Sequence, residues 1–531
     1  MTKTDRLKYM GARAVARRSR RVLALASAVA VLAGVVLLTS GLLPRDSAAS
    51  APGARVGQEV PVTAMDRSVA PANNSPVLVA DPGDRQFVAL ANRLDAPDFS
   101  CALHVSGDGG RSWAPVVPVR VLPEGAEKCY APEVAFDRDG RLYYLFVGLA
   151  GRGNEPMGAF LTSSEDRGRT FSPPRRVLGP LSFAVRMAID PDLGEAGRMH
   201  LVWIAVTADP PLGGFPAPPN PIMSAHSDDG GQSFSEPVQV SDAQRDRVVA
   251  PALALGPDHS VHVGYYDLGR DAVDYQGLEG PVWQEPWSVV LASSTDGGER
   301  FDEASVVEDA VVPYERVLLI FTMTPPALAV HGEQVCVAWA DGRSGDADVL
   351  ARCSDDRGRS WLKAQRLNDD EVGNGLSQFT PQLDFSPQGR LDAVFHDRRG
   401  HPSNGLNYAY LTFSTDGGRS WAPNVKLSRH ASSSLVGQHY ANPSAMGRAE
   451  FGSRLGLLSG PGGALAAWGD TRNSRPDSTG QDVFTATVEL PRTGRSYAVP
   501  AGAVLVGAGA LGLIAGRRRR PDTAGQPVVA T

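Results

Sequence analysis

The sequence has little of what most cofactor sites require. Only four of its 531 residues are cysteine, and its ten histidines are scattered along the chain. No His/Cys cluster has the spacing of a metal site, and there is no phosphate-binding glycine loop and no nucleophile elbow. We therefore expect neither a metal nor a cofactor.

The central part of the chain has no net positive charge and is strongly acidic. The whole chain carries −6, but residues 1–21 carry +7 and residues 494–531 carry +4, which leaves −17 between them. A region this acidic repels the phosphates of nucleic acids. The sequence therefore argues against a nucleic-acid partner.

Long apolar periodic runs are also missing, except at the two ends. The chain instead contains 57 glycines and 41 prolines, which interrupt it at short intervals. Short strands joined by many turns are typical of an all-β domain.

An eight-residue pattern, S-x-D-x-G-x-x-[WF], occurs six times. Its serines are 58, 63, 67, 60 and 60 residues apart, and this regularity indicates a stacked or circular array of one unit. Ser and Asp side chains can bond backbone groups within a tight turn, and glycine suits a positive φ, so we expect a structural role. The aspartates of the six copies are Asp108, Asp166, Asp229, Asp296, Asp356 and Asp416.

This pattern resembles the Asp box of the sialidase-like (BNR-repeat) β-propeller families. The resemblance implies a propeller of four-stranded antiparallel blades, but not sialidase activity, because function depends on sites rather than on folds. Seven inner strands can be found against six boxes, so seven blades are favoured over six. The seventh unit has three strands and no box. The extended segment Val60 to Val69 would supply its fourth strand and close the ring.

Up-and-down blades place the boxes, and the turns between first and second strands, on one rim of the ring. We call this the box rim and the opposite one the loop rim. The long insertions all fall on the loop rim, and ordered loops on a rigid scaffold usually carry function. These insertions span residues 209–220, 267–286, 303–324 and 428–453.

A second motif recurs on the loop rim, where the second strand of a unit ends. It is an aspartate followed within three residues by an arginine. Its acidic and basic members could together bind carboxylates and hydroxyls, or each pair could brace its own loop through a local salt bridge. Arg186, on an inner strand, could face the channel, as could Glu133. The motif residues are Asp267, Arg270, Asp341, Arg343, Asp397, Arg398, Arg399, Asp470 and Arg472.

Catalytic residues cannot be assigned from the resemblance. Sialidases use a tyrosine nucleophile, a neighbouring glutamate, an aspartate acid/base and three arginines that hold the sialate carboxylate. The first of those arginines lies in a Phe/Tyr-Arg-Ile-Pro segment before the first box, whereas residues 75–80 here read SPVLVA. Seven blades would be a second departure, because sialidases have six.

Several aromatic residues lie near the loop rim and allow two interpretations. Tyr265, Tyr266 and Tyr440 could serve a site or could be ordinary packing. Tyr275, Trp283 and Trp287 in one insertion could stack on sugar rings or could hold their own loop down.

The first 49 residues are typical of an export segment. A basic stretch precedes the apolar run Val22 to Leu43, and small residues follow. The run is also long enough for an uncleaved membrane anchor. Residues 19–23, SRRVL, faintly resemble a twin-arginine signal, so the export route stays open.

The last 42 residues, 490–531, resemble the LPxTG sorting signal of Gram-positive surface proteins. Residues 490–494 read LPRTG and precede an apolar segment and four arginines. The resemblance implies that a sortase cuts between Thr493 and Gly494 and joins Thr493 to the cell wall. The eleven-residue tail after the arginines departs from the pattern, and a plain C-terminal membrane helix is the alternative. Either way, residues 50–489 form the propeller outside the cytoplasm.

The four cysteines suit an exported protein. Cys336 and Cys353 lie symmetrically on the two arms of one predicted hairpin, so a cross-strand disulfide is plausible. Cys101 and Cys129 would then pair between the first two repeats, and four free buried thiols are the alternative.

Three functions are compatible with this sequence. The first is a cell-surface module that recognises carbohydrate through the loop rim. The second is a glycoside hydrolase of the exo-sialidase type with a rearranged site, and the third is a structural envelope protein. The missing arginine segment favours binding over hydrolysis, and the ligand is not identified.

Overall fold

A computed structural model describes the propeller and not the two ends of the chain. The described residues are 51, 53–63, 72–95, 98–114, 122–152, 154–206, 219–270, 285–302, 304–313, 323–401, 404–433, 452–474 and 480–491. Within these ranges the structure is all-β, and no helix is long and apolar enough to cross a membrane. The two apolar segments expected at the ends, and the sortase processing residues Thr493 and Gly494, lie outside the described residues.

Seven antiparallel sheets form the seven blades of a propeller. The second strand of each blade is buried along nearly its whole length, since both faces of a blade pack against neighbours. Inner strands, which line the centre, span Asn73–Ala80, Lys128–Phe136, Ser182–Asp190, Val248–Leu255, Ala327–His331, Gln378–Phe385 and Gly456–Gly460. Second strands span Val88–Leu94, Leu142–Ala150, Arg198–Ala205, Val261–Asp267, Gln334–Asp341, Leu391–Asp397 and Gly463–Asp470.

The outer half of each blade is less regular. Third strands span Ser100–Ser106, Glu155–Ser164, Ile222–Ser227, Trp287–Ser294, Asp348–Ser354, Leu406–Ser414 and Asp482–Glu489. Outer strands of blades 2 to 6 span Arg175–Leu178, Val238–Gln239, Ser305–Val311, Gln365–Arg366 and Val425–Lys426, and Ser432–Ser433 also pairs with the third strand of blade 6. In blade 1, residues 115–121, which follow the third strand, lie outside the described residues.

The ring is closed. Each inner strand contacts the inner strand of the next blade, and that of blade 7 contacts that of blade 1. Seven blades, the favoured prediction, are confirmed, and the six-bladed alternative is wrong.

The two ends of the chain build the last blade together. Arg55–Val56 and Val60–Pro61 pair with the third strand of blade 7, with Arg55 opposite Glu489 and Val60 opposite Thr485. The predicted closing strand is confirmed, although it starts five residues earlier than Val60. Residues 64–69 of the predicted strand lie outside the described residues.

The six boxes share one hydrogen-bond pattern. In blade 1 the hydroxyl of Ser106 donates to Asp108 Oδ1 (2.8 Å) and accepts from the amide of Gly110 (2.9 Å). The amide of Ser112 donates to the same carboxylate at 2.9 Å, and so does its hydroxyl at 2.6 Å, although the fourth box has Arg300 here and keeps only the amide bond. The Ser112 hydroxyl and these other donors lower the pKa of Asp108 to about 2. The boxes are therefore self-contained turns, as the sequence suggests.

Each described box also rests on the preceding blade. A Cβ added to Gly110, whose φ is +86°, would lie 2.5 Å from a methyl carbon of Leu465 in blade 7. The equivalent atom on Gly418 would lie 2.2 Å from Sγ of Cys353. That cysteine forms a disulfide with Cys336, and Cys101 forms one with Cys129.

Replacing Gly110 with alanine should lower the free energy of unfolding by about 2–5 kcal/mol. The left-handed backbone costs an alanine about 1–2 kcal/mol, and overpacking against Leu465 adds about 1–3 kcal/mol. Gly107→Ala in the same box is the matched control, because nothing lies within 4 Å of its added Cβ. Denaturant titration of the oxidised protein measures both, and equal effects would contradict this account.

Three buried histidines make the fold sensitive to acid. Burial lowers the pKa of His104, His200 and His262 to about 4. Both ring nitrogens of His200 are buried without a hydrogen-bond partner among the described residues.

The free energy of unfolding should therefore fall as the pH drops from about 6.5 to about 4. In this window the unfolded chain takes up protons that the folded chain does not, and each histidine adds up to about 1.4 kcal/mol per pH unit. His200→Leu should make this slope shallower without destabilising the fold at pH 7, since it removes an unpaired polar group. Denaturation midpoints measured from pH 4 to 8 test this, and an unchanged slope in the variant would refute it.

Candidate functional site

The inner strands share a strained position close to the loop rim. Five of them contain a non-glycine residue with φ between +49° and +53°, and in each the strand register shifts there. A β-bulge of this kind removes backbone groups from the ladder and re-aims side chains. The five residues are Ser75, Ala131, Ala184, Ala250 and Thr380.

A buried cluster of one carboxylate and two guanidinium groups lies just beyond these bulges. Arg186 Nη1 is 3.0 Å from Glu133 Oε1, and Arg454 Nη1 contacts the same oxygen. Carbonyl groups in the bulges hold both arginines: Pro251 accepts from Arg186 Nε at 2.9 Å and Pro132 accepts from Arg454 Nη2 at 3.3 Å. The three side chains are only 6–12% exposed.

The cluster spans the centre of the ring. Glu133 and Arg186 belong to the inner strands of blades 2 and 3, whereas Arg454 comes just before the inner strand of blade 7. Because blade 1 stands between blades 7 and 2, the contact between Arg454 and Glu133 crosses the space that the inner strands enclose. The site therefore lies in the channel, at its loop-rim end.

The electrostatics of the cluster are unbalanced. Within the part of the chain that the structure describes, two positive charges share one negative charge. Burial together with the charge of Arg454 lowers the pKa of Arg186 to about 10. A buried charge is stable only when it is paired and hydrogen-bonded. A second anion at this place would therefore be bound favourably.

A tyrosine on the same inner strand as Glu133 is hydrogen-bonded to an arginine of blade 1. Arg93 Nη1 donates to the hydroxyl of Tyr130 at 2.6 Å, and Arg93 is itself paired with Asp95 at 2.6 Å. Tyr130 is close enough to influence the pKa of Arg186. The inner strand of blade 2 thus carries both this hydroxyl and the carboxylate of Glu133.

The Asp/Arg motif on the loop rim behaves differently. Asp341 pairs with Arg343 at 2.5 Å, and Asp470 pairs with Arg472 at 2.5 Å. Each aspartate also accepts the backbone amide of its own arginine, at 3.0 and 2.7 Å. These contacts match the interpretation in which each pair braces its own loop.

The other two members of the motif differ from each other, because Asp397 pairs within its own motif and Asp267 does not. Asp397 pairs with Arg399 at 2.7 Å, while Arg398 is buried and its Nε donates to Asn407 at 2.7 Å. Asp267 pairs with Arg245 at 2.5 Å, and Arg270 is exposed. The structure brings none of these residues into the contacts described for the cluster at Glu133.

The aromatic candidates fall into two groups. Tyr265, Tyr266 and Trp287 are buried in the blade packing. Tyr275, Trp283 and Tyr440 lie outside the described residues. Of the sequence-derived candidates that the structure describes, only Arg186 and Glu133 meet in the channel.

Sequence reasoning missed Arg454 altogether. It follows a long insertion and carries no motif, so its only signal is that it lies two residues before an inner strand. Its partner in blade 2 lies 321 positions away in the chain.

Comparisons with known proteins give similarity of fold only. No protein-family model matches the chain, and no curated protein matches it. Among solved structures, a protein of unknown function from Dyadobacter fermentans is 14% identical, with 83% of this chain and 100% of that chain covered and a TM-score of 0.47. A Hadza microbial sialidase is 13% identical, over 76% and 73% of the two chains, with a TM-score of 0.43. The α-L-arabinanase of Penicillium chrysogenum, complexed with arabinobiose, is 14% identical over 70% and 95%, with a TM-score of 0.39. At these values the similarities do not decide function.

Neutralising the shared carboxylate should destabilise the ring. Glu133→Gln leaves two buried arginines without an anion among the residues described, and it should lower the free energy of unfolding by about 3–5 kcal/mol. Adding Arg454→Gln should recover part of this loss, because one of the two unpaired charges is then removed. A double-mutant cycle by denaturant titration measures the coupling, and strictly additive losses would show that the three groups do not act together.

Proposed function

We propose that the protein recognises carbohydrate that carries a carboxylate, and that it binds this group at the loop-rim end of the channel. The observation that carries the proposal is the pair of buried arginines, from blades 3 and 7, that share the single carboxylate of Glu133. Among the described residues, this arrangement leaves one positive charge without a partner anion in a nearly dry site.

The chemistry of the two arginines favours a planar anion over a simple ion. A guanidinium group presents its donors in a flat fork, which matches a carboxylate with two parallel hydrogen bonds. The bulge carbonyls already hold one donor of each arginine and so fix the direction of the fork. A sugar acid would place its carboxylate here and its hydroxyl groups against the surrounding polar groups.

The proposal also includes the location of the protein. The N-terminal export segment and the C-terminal sorting signal expected from sequence support display on the envelope of a Gram-positive bacterium. The protein would then bind glycans outside the cell.

One observation favours a second candidate, hydrolysis of the exo-sialidase type. Tyr130, whose hydroxyl accepts a hydrogen bond from Arg93, lies on the same inner strand as Glu133. A tyrosine is the nucleophile of sialidases. Turnover of a fluorogenic sialoside that is lost in Tyr130→Phe would support this candidate over simple binding.

Binding to a panel of acidic and neutral glycans tests the first proposal. The wild-type protein should bind carboxylated glycans and should not bind neutral ones. Arg186→Ala and Arg454→Ala should each weaken binding about 10- to 100-fold, because each removes a charge-assisted hydrogen bond. Titration calorimetry gives the affinities, and higher salt should weaken them.

Arg300→Ala is the matched control. It removes the same charge from a box on the opposite rim, where the side chain is 90% exposed. The proposal fails if the wild type binds no carboxylated glycan, or if both channel variants fold normally and bind as the wild type does.

A further inference from the structure

The first two residues of the LPRTG sequence belong to the folded propeller. Leu490 is 5% exposed and packs in the core cluster of blades 6 and 7, which also contains Trp468 and Ala51. Its amide donates to the carbonyl of Gly462 at 3.0 Å. Leu490 thus continues the third strand of blade 7 on the box rim.

A buried arginine of blade 6 fastens the same segment. Arg390 is fully buried and pairs with Asp392 at 2.7 Å. Its guanidinium group also donates to the carbonyls of Gly460, Gly463 and Pro491, at 3.1, 3.0 and 3.3 Å. One side chain therefore joins the hairpin of blade 7 to the point where the described chain ends.

These contacts of Arg390 lie where blade 7 lacks a box. The boxes of blades 1 and 6 rest on the blade before them, but blade 7 has no box to place against blade 6. Arg390 and the segment Leu490–Pro491 make that contact instead. The segment is consequently a structural part of the ring.

We propose that Leu490–Pro491 has two mutually exclusive binding partners, the last blade and a sortase-type transpeptidase. An enzyme that recognises LPxTG must contact the Leu and Pro side chains, and the fold buries the first of them. Exchange of the Thr493–Gly494 amide for a new amide to a wall amine, with release of the Gly494 amine, then requires the end of blade 7 to open. The rate of processing is the intrinsic rate multiplied by the fraction of open molecules.

A second, undocked copy of the recognition residues tests this inference. Gly-Ser-Gly-Ser-Leu-Pro is inserted between Pro491 and Arg492 of the full-length chain, purified in detergent. The docked pair stays in place, and a free LPRTG is displayed beyond it. A purified LPxTG-specific sortase with a glycine-peptide amine should process this variant roughly 10- to 100-fold faster than the wild type, the range expected from exposing one buried leucine.

A matched insertion distinguishes the effect of a free recognition motif from the effect of a longer linker. Gly-Ser-Gly-Ser-Ala-Ala at the same place extends the linker equally but offers no free motif, and it should give no acceleration. Low concentrations of urea, below the unfolding transition, should increase the rate at which the sortase processes the wild type and should not increase that rate for the Leu-Pro insertion. Equal rates for the wild type and the Leu-Pro insertion would overturn the proposal, as would a failure of the sortase to process the Leu-Pro insertion. Neither outcome depends on glycan binding.

Discussion

The structure depends on the backbone pairing between the two ends of the chain. A blade with three strands would leave a row of amide and carbonyl groups unpaired along its outer edge. Arg55–Val56 and Val60–Pro61 pair with Asp482–Glu489 and remove that edge. Glu59, which lies between these two short strands, reinforces the joint through an ion pair with Arg472 at 2.7 Å.

The channel cluster follows from this closure. Glu133, Arg186 and Arg454 are distant in sequence and meet because the inner strands of blades 2, 3 and 7 surround one space. The strained bulges then supply the carbonyl groups that aim both guanidinium groups at the carboxylate. Such strain persists only where the surrounding structure fixes it, and here seven tightly packed blades do so.

The features predicted correctly from sequence are those that arise from local, repeated chemistry. The boxes form with side chains no more than six residues apart, and their spacing therefore reveals the ring. Counting inner strands revealed the seventh blade and the need for a closing strand. The Asp/Arg motif left two interpretations open, because sequence does not show whether an arginine turns back onto its own loop. Asp267 shows the difficulty: its partner, Arg245, comes from another loop. Arg454 could not be predicted, because its partner is brought to it by the whole ring.

Both described ends of the chain leave the propeller near each other, since a Cβ added to Gly53 would lie 3.6 Å from Cγ of Pro491. This has a mechanical consequence. A force that pulls the two ends apart would peel the closing strands, breaking their hydrogen bonds one after another from Arg55 and Glu489 inward. A force between Pro491 and a ligand held in the channel mouth would instead run along the strand Asp482–Glu489. It would load the bonds on both sides of that strand in shear, all at once, so the molecule resists tension far better in this second direction.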